Sequence, residues 1–161
     1  MIAAFVLAAA DAMRRAVEAE VGQGGAGAAA LVTIGAYPGR SLERLRAALE
    51  ISQPGTVRLV ERLEREGWVE RRPSPGRASA LHLTASGAAL VDRLLAARER
   101  AVAAVLEGLD PGAVAAMAAT AERVLAARTS DRAALERLCR LCERRVCDAC
   151  PVAGALRGER A

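Results

Sequence analysis

Apolar residues recur at three- and four-residue steps along most of the chain, so the pattern is helical nearly throughout. Residues 2–21 read as one helix that stops at Gly22. A second helix runs to about Tyr37 and is stopped by Pro38-Gly39. Ser41 suits the cap of a third, Leu42 to Leu49, in which Leu42, Leu45 and Leu49 make one apolar stripe. Glu50-Ile51 turns the chain. Ser52 caps a fourth helix with Gln53 and Pro54 at its first positions, where proline's missing N–H does no harm. Val57, Val60 and Leu63 form its inward face, Arg58 and Arg62 fall opposite, and Gly67 ends it.

The period then drops to two. Trp68 to Arg72 and Ala78 to Leu83 read as paired strands, with Pro73-Ser74-Pro75-Gly76 as the turn. Leu81 and Leu83 face inward, leaving His82 outward. Helical spacing resumes. Thr84 caps a long helix towards Glu107, and Leu109-Asp110-Pro111 starts another that reaches about Arg128. Thr129-Ser130-Asp131 offers a cap for a last helix from near Arg132. Gly22 to Gly27 matches G-x-G-x-x-G in form. No strand precedes it and no acidic residue follows at the dinucleotide spacing, so it reads as a connection between helices.

Composition adds one inference about assembly. The chain has 161 residues, a one-domain length, and is 53% hydrophobic. Much of that content is alanine, and the aromatics are only Phe5, Tyr37 and Trp68. Alanine-rich helices pack thinly, so completion of the core by a second subunit is expected. The apolar run Ile2 to Ala10 is too short to span a bilayer, is followed rather than preceded by Arg14-Arg15, and is interrupted at Asp11. It reads as a dimer helix of a cytoplasmic protein with no membrane partner.

The net charge is +4 and every basic residue is arginine, which permits nucleic-acid binding without requiring it. His82 is the lone histidine and reads as an exposed strand residue. No Ser/His/Asp or Cys/His set and no placed carboxylate pair is evident, so no enzyme is expected. The four cysteines, Cys139, Cys142, Cys147 and Cys150, form C-x2-C-x4-C-x2-C. Two C-x2-C pairs can present four thiolates to zinc. On one continuous helix the outer pair would lie about 16 Å apart, so a single site needs the helix to break. A thiol–disulfide switch among neighbouring arginines, an iron–sulfur cluster suggested by Cys150-Pro151, and four inert buried thiols stay open beside zinc.

Three stretches carry a family resemblance: Ser41-Leu42-Glu43-Arg44-Leu45, Ile51-Ser52-Gln53-Pro54, and Arg58 to Arg72 with Glu66-Gly67-Trp68-Val69-Glu70 at its centre. Leu83-Thr84-Ala85-Ser86-Gly87 and Leu109-Asp110-Pro111 follow. Over roughly residues 1–128 the chain resembles the MarR family of bacterial transcriptional regulators. Two positions depart from it. Glu50 stands where the family often has a glycine before the recognition helix. Pro75 stands two residues before Arg77, where the wing commonly carries an aspartate.

The resemblance implies a mainly α fold, a winged helix-turn-helix with a two-stranded β-wing and a helical dimerisation domain. The chain then divides into a dimerisation helix at 1–24, the DNA-binding domain at 25–90, dimerisation helices at 91–138 and, beyond the reach of the resemblance, a cysteine-rich tail at 139–161. It further implies a homodimer that binds palindromic double-stranded DNA, as a repressor, with a small-molecule effector as a further partner. The Ser52–Leu63 helix would enter the major groove, with Ser52 and Pro54 at the end facing phosphate. Gln53 and Arg58 would read base edges, and Thr56 and Arg62 would reach phosphate. Arg71 and Arg72 would lie near the backbone, and Arg77 at the minor groove. The competing expectation is a winged-helix protein-interaction module with a metal-stabilised tail.

Overall fold

Alanine-rich residues Ile2–Val21 form helix α1, which ends at Gly22 in the left-handed region (φ 69°) with its N–H returned to the Glu18 carbonyl. The computed structural model describes residues 1–22, 24–74, 77–143 and 150–158. Helix α2 (Ala26–Ala36) is buried from Gly27 through Ile34 and is the axis of the core. Its near-continuous run of small and aliphatic residues is what an element surrounded on all sides requires.

Helix α3 (Leu42–Leu49) is capped by Ser41, and helix α4 (Gln53–Arg65) by Ser52, each side chain accepting from a backbone N–H three residues on. The link between them holds Glu50 at φ 53°, so the position that the sequence marks as departing from glycine does carry the left-handed conformation. The buried stripe of α4 is Thr56, Leu59, Val60 and Leu63. Val57, expected inward, is only half-buried, and Leu59 joins Val60 and Leu63 on the buried face in its stead.

Strands β1 (Val69–Ser74) and β2 (Arg77–Leu83) pair antiparallel, with Val69 opposite Leu83 and Arg71 opposite Leu81. The register shifts between Arg72 and Ser74, where Pro73 has no N–H to give to the ladder. Arg40 bridges Leu81 from the other side of β2. Leu81 is buried; Leu83 and His82 are half-buried, with His82 against Gly39 rather than facing out.

Thr84 caps helix α5 (Ala85–Val105) and donates its hydroxyl to the Gly67 carbonyl, tying the hairpin's base to the helix start. Residue 87 must be glycine here, since a Cβ would sit 2.0 Å from the Trp68 carbonyl oxygen. Gly87→Ala is expected to cost about 3 kcal/mol in folding stability, as overpacking against backbone that cannot move aside. Urea unfolding followed by circular dichroism checks this.

Helix α1 lies along α5. Helix α6 (Pro111–Ala127), capped by Asp110, has no buried residue. Helix α7 (Arg132–Leu138), capped by Asp131, returns to pack on α3, and helix α8 (Pro151–Gly158) packs on α6 and α7. The largest buried side chains, Leu31, Ile34, Leu45, Leu63, Leu81, Leu90 and Leu94, join α2 to α3, α4, β2 and α5 in one core. No helix among the described residues is long and apolar enough to cross a membrane.

Candidate nucleic-acid interface

The apolar stripe of α4 fixes which side chains the opposite face offers to solvent. Ser52, Gln53, Pro54 and Arg58 are exposed, and Gly55 donates its N–H to the Ser52 hydroxyl at 3.2 Å. Among the described residues no carboxylate pairs with Arg58. An unpaired guanidinium near a helix N-terminus, on the face turned away from the core, is chemically ready for phosphate or guanine. The structure thus brings Ser52, Gln53, Pro54 and Arg58 to one surface.

Two residues expected on that surface are not there. Thr56 is 0% exposed, and its hydroxyl donates to the Ser52 carbonyl at 3.0 Å. It heads the buried stripe and cannot reach a ligand. Arg62 is half-buried and turns towards α2, where a Cβ on Gly27 would lie 3.0 Å from its Nη2. The reason is rotational: four residues advance a helix about 40° past a full turn, which carries position 62 from the face of Arg58 towards the core.

The wing supplies further cations. Arg71 is exposed and pairs with Glu64 of α4 at 3.1 Å, so it braces the wing against the recognition helix. Arg72 pairs with Glu70 on its own strand at 2.5 Å. Exposed pairs of this kind are worth little, so either arginine can exchange its carboxylate for a phosphate. Arg77 lies in β2 opposite Ser74, and its side chain lies outside the described residues. Arg44, exposed on α3 without a carboxylate partner among the described residues, is a cation that reading the sequence did not single out.

Behind this surface the end of the chain grips the head. Glu136 of α7 is 6% exposed and accepts from Arg40 at 2.6 and 2.8 Å and from Arg132 at 3.1 Å. Arg40 in turn stacks on Tyr37, 3.6 Å from the ring centre. Burial opposes ionisation of Glu136, but the hydrogen bonds from Arg40 and Arg132 outweigh it and hold the carboxyl below its usual range. A depressed folded-state pKa gives stability that is present above the ordinary glutamate value and lost as pH falls through the folded one. Glu136→Gln is expected to cost about 2 kcal/mol, because Arg40 keeps its burial and loses its counter-charge. Thermal unfolding at neutral pH measures this, and the gap between the two proteins should narrow in acid.

The tail continues from α7. Leu141 packs against the core, and Arg98 of α5 donates to its carbonyl. Cys139 and Cys142 lie in one turn, so the helix ends before the cysteine block. A hydrogen bond with Cys139 is the main cause that brings the Cys142 thiol down to about 6; burial opposes this and Arg98 assists. Cys150 is half-buried just ahead of α8, and Cys147 lies outside the described residues. Among the described residues no group of three or more His, Cys, Asp or Glu is placed to hold a metal. A cleft of about 240 Å³ lies between α2 and α5, and its lining includes Val32, Leu83, Val91, Leu95, Cys142 and Glu143.

The family model described as the MarR family matches residues 26–78, from α2 into β2. No curated protein sequence matches the chain. Among solved structures, wild-type MarR (apo form) from E. coli is 20% identical with a TM-score of 0.66, covering 78% of this chain and 97% of that one. A Mycobacterium tuberculosis MarR family protein in complex with salicylic acid is 25% identical with a TM-score of 0.58, covering 74% and 92%. MepR, a transcription regulator of the Staphylococcus aureus multidrug efflux pump MepA, is 20% identical with a TM-score of 0.61, covering 71% and 89%.

Proposed function

Because this chain is a winged helix-turn-helix protein of the MarR family, we propose that it is a dimeric transcriptional regulator that binds specific double-stranded DNA and acts as a repressor. The observation that carries the reading is the capped helix α4, with Gln53, Pro54 and unpaired Arg58 exposed together beside an arginine-bearing wing. In the bound state α4 lies in the major groove, where Gln53 suits adenine and Arg58 suits guanine. Arg71, Arg72 and Arg77 serve the sugar–phosphate backbone and the adjoining minor groove.

The dimer is supported by apolar surface that one chain leaves bare. Helix α6 buries nothing, and Ile2, Phe5, Val6 and Leu7 of α1 stand exposed with Val102, Val124 and Leu125. Large apolar side chains left bare in this number are what an interface with a second copy would cover. A second copy sets two heads side by side, so each α4 meets one of two successive major grooves.

The reading is of a binding protein of the cytoplasm, without catalysis. A small-molecule effector is part of it: the relative described with salicylic acid supports this, and the cleft between α2 and α5 is where such a molecule would press on both the head and the dimer helix. Fluorescence anisotropy with duplex fragments from around the protein's own gene tests the whole. Saturable binding that competitor DNA does not remove, weakening steeply with salt as arginine–phosphate contacts release counterions, is expected. Equal affinity for every fragment would refute a sequence-specific regulator.

A further inference from the structure

The chain beyond α6 is fastened at both ends to the long helices and in its middle to the head. Arg128 to Asp131 join α6 to α7. That link is packed rather than slack: Thr129 is buried with its hydroxyl on the Leu125 carbonyl at 2.8 Å, and Asp131 caps α7. Past α7, Leu141 packs on the core and Arg98 of α5 donates to its carbonyl. Helix α8 then returns to α6 and α7, with Val152 buried. The family resemblance ends near residue 128, so α7 and α8 lie outside it.

The two contacts in the middle fall on the two parts of the head that face DNA. Arg40, which Glu136 holds, also accepts from the Leu81 N–H of β2 at 2.9 Å through its own carbonyl, so Glu136 grips the base of the wing. Arg137 pairs at 3.3 Å with Glu50, the left-handed residue of the turn that leads into Ser52 and α4. The Glu136–Arg40 contact uses both carboxylate oxygens and both Nη atoms. Such a fork-to-fork pair fixes angle as well as distance, and tilting this one would leave buried charge unpaired. With α7 seated, Gln53, Pro54 and Arg58 still stand exposed. The contact therefore holds the head without covering its DNA face, which excludes an autoinhibitory role.

We propose that residues 128–141 are a strap that sets the orientation of the DNA-binding head on the dimer helices, and that Glu136 and Arg137 are positioning residues for operator recognition. The role in recognition rests on the DNA-binding reading above; the strap itself does not. Two heads grip one duplex only when both recognition helices are presented at a fixed separation and angle. A head free to tilt loses more orientational freedom on binding and lowers the effective concentration that its partner feels. A held head binds the matched spacing tightly and a mismatched spacing poorly. Release of the strap therefore weakens binding to the native operator and flattens its dependence on half-site spacing. Each head's own grip on a single half-site stays as it was.

The test compares the native full chain with Glu136→Gln and with Arg137→Ala. Anisotropy is measured on the operator, on the same operator with one or two base pairs inserted between its half-sites, and on a duplex carrying one half-site. In the native chain the insertions should weaken binding by roughly thirtyfold or more. In Glu136→Gln the native operator should be bound roughly tenfold more weakly, the insertions should matter by less than about threefold, and half-site affinity should stay within about twofold. Arg137→Ala removes an exposed pair and should move the first two quantities the same way by a smaller factor. Equal losses on the half-site and the full operator, or an unchanged dependence on spacing, would overturn the positioning role.

Brief trypsin digestion judges the strap without DNA. Glu136→Gln should be cut after Arg132 roughly tenfold faster than the native chain while the head stays intact, and an unchanged rate would remove the strap. Should Glu136→Gln be degraded throughout, its fold is lost, and Arg137→Ala decides by the same criteria. A native chain that binds no DNA fragment would sink the DNA reading, and the digestion would still decide whether this segment ties head to dimer helices.

Discussion

Arg58→Ala is expected to weaken operator binding by roughly two orders of magnitude while leaving the fold and the dimer intact. A bidentate arginine–guanine contact discriminates by about 1–3 kcal/mol, and a dimer carries two of them, so the sum is about 2–6 kcal/mol. The side chain is exposed and unpaired among the described residues, so its removal leaves no cavity and orphans no partner. Anisotropy titrations of both proteins on one operator measure the loss, and circular dichroism checks the fold. The Arg71→Ala comparison separates base reading from backbone contact. It should weaken all sequences alike by a smaller factor and reduce the salt slope by about one. Unchanged affinity in Arg58→Ala would remove that residue from the interface.

The double substitution Leu7→Glu, Val124→Glu is expected to convert the protein to monomers and with that to destroy high-affinity operator binding. Leu7 is 66% exposed and Val124 50% exposed, so neither supports the core of its own chain. Across a two-fold axis each charge is buried twice, without a partner in the apolar surface it would enter. A monomer has one head, and it loses the gain from linking two binding events, roughly a hundredfold or more. Sedimentation analysis reads the mass and anisotropy reads the affinity. A persisting dimer would place the interface elsewhere than α1 and α6.

Local signals made the head legible from sequence. Ser41, Ser52 and Thr84 are caps whose hydrogen bonds close three residues on, so the starts of α3, α4 and α5 follow from neighbours alone. Glu50 was marked by its departure from glycine and is the residue held at positive φ. The individual contacts were less legible. Thr56 is polar and reads as available, but the phase of the stripe puts it at the core and its own backbone satisfies the hydroxyl. Arg62 sits one turn beyond Arg58, yet the residual helical rotation carries it towards α2. The docking of α7 was not legible at all. Its key contact joins Arg40 to Glu136 across 96 residues, and charged residues in an arginine- and glutamate-rich chain offer many equivalent pairings. Only the packing that buries Glu136 selects this one.

Footprinting of the reduced protein on its operator, with base-specific chemical protection in the major groove, tests the central claim most directly. Two protected major-groove segments related by a two-fold axis, with centres about one helical turn (~34–36 Å) apart, are predicted, and the guanine protections should vanish in Arg58→Ala. A single protected segment, or protection of the backbone with none in the major groove, would contradict two recognition helices reading one duplex.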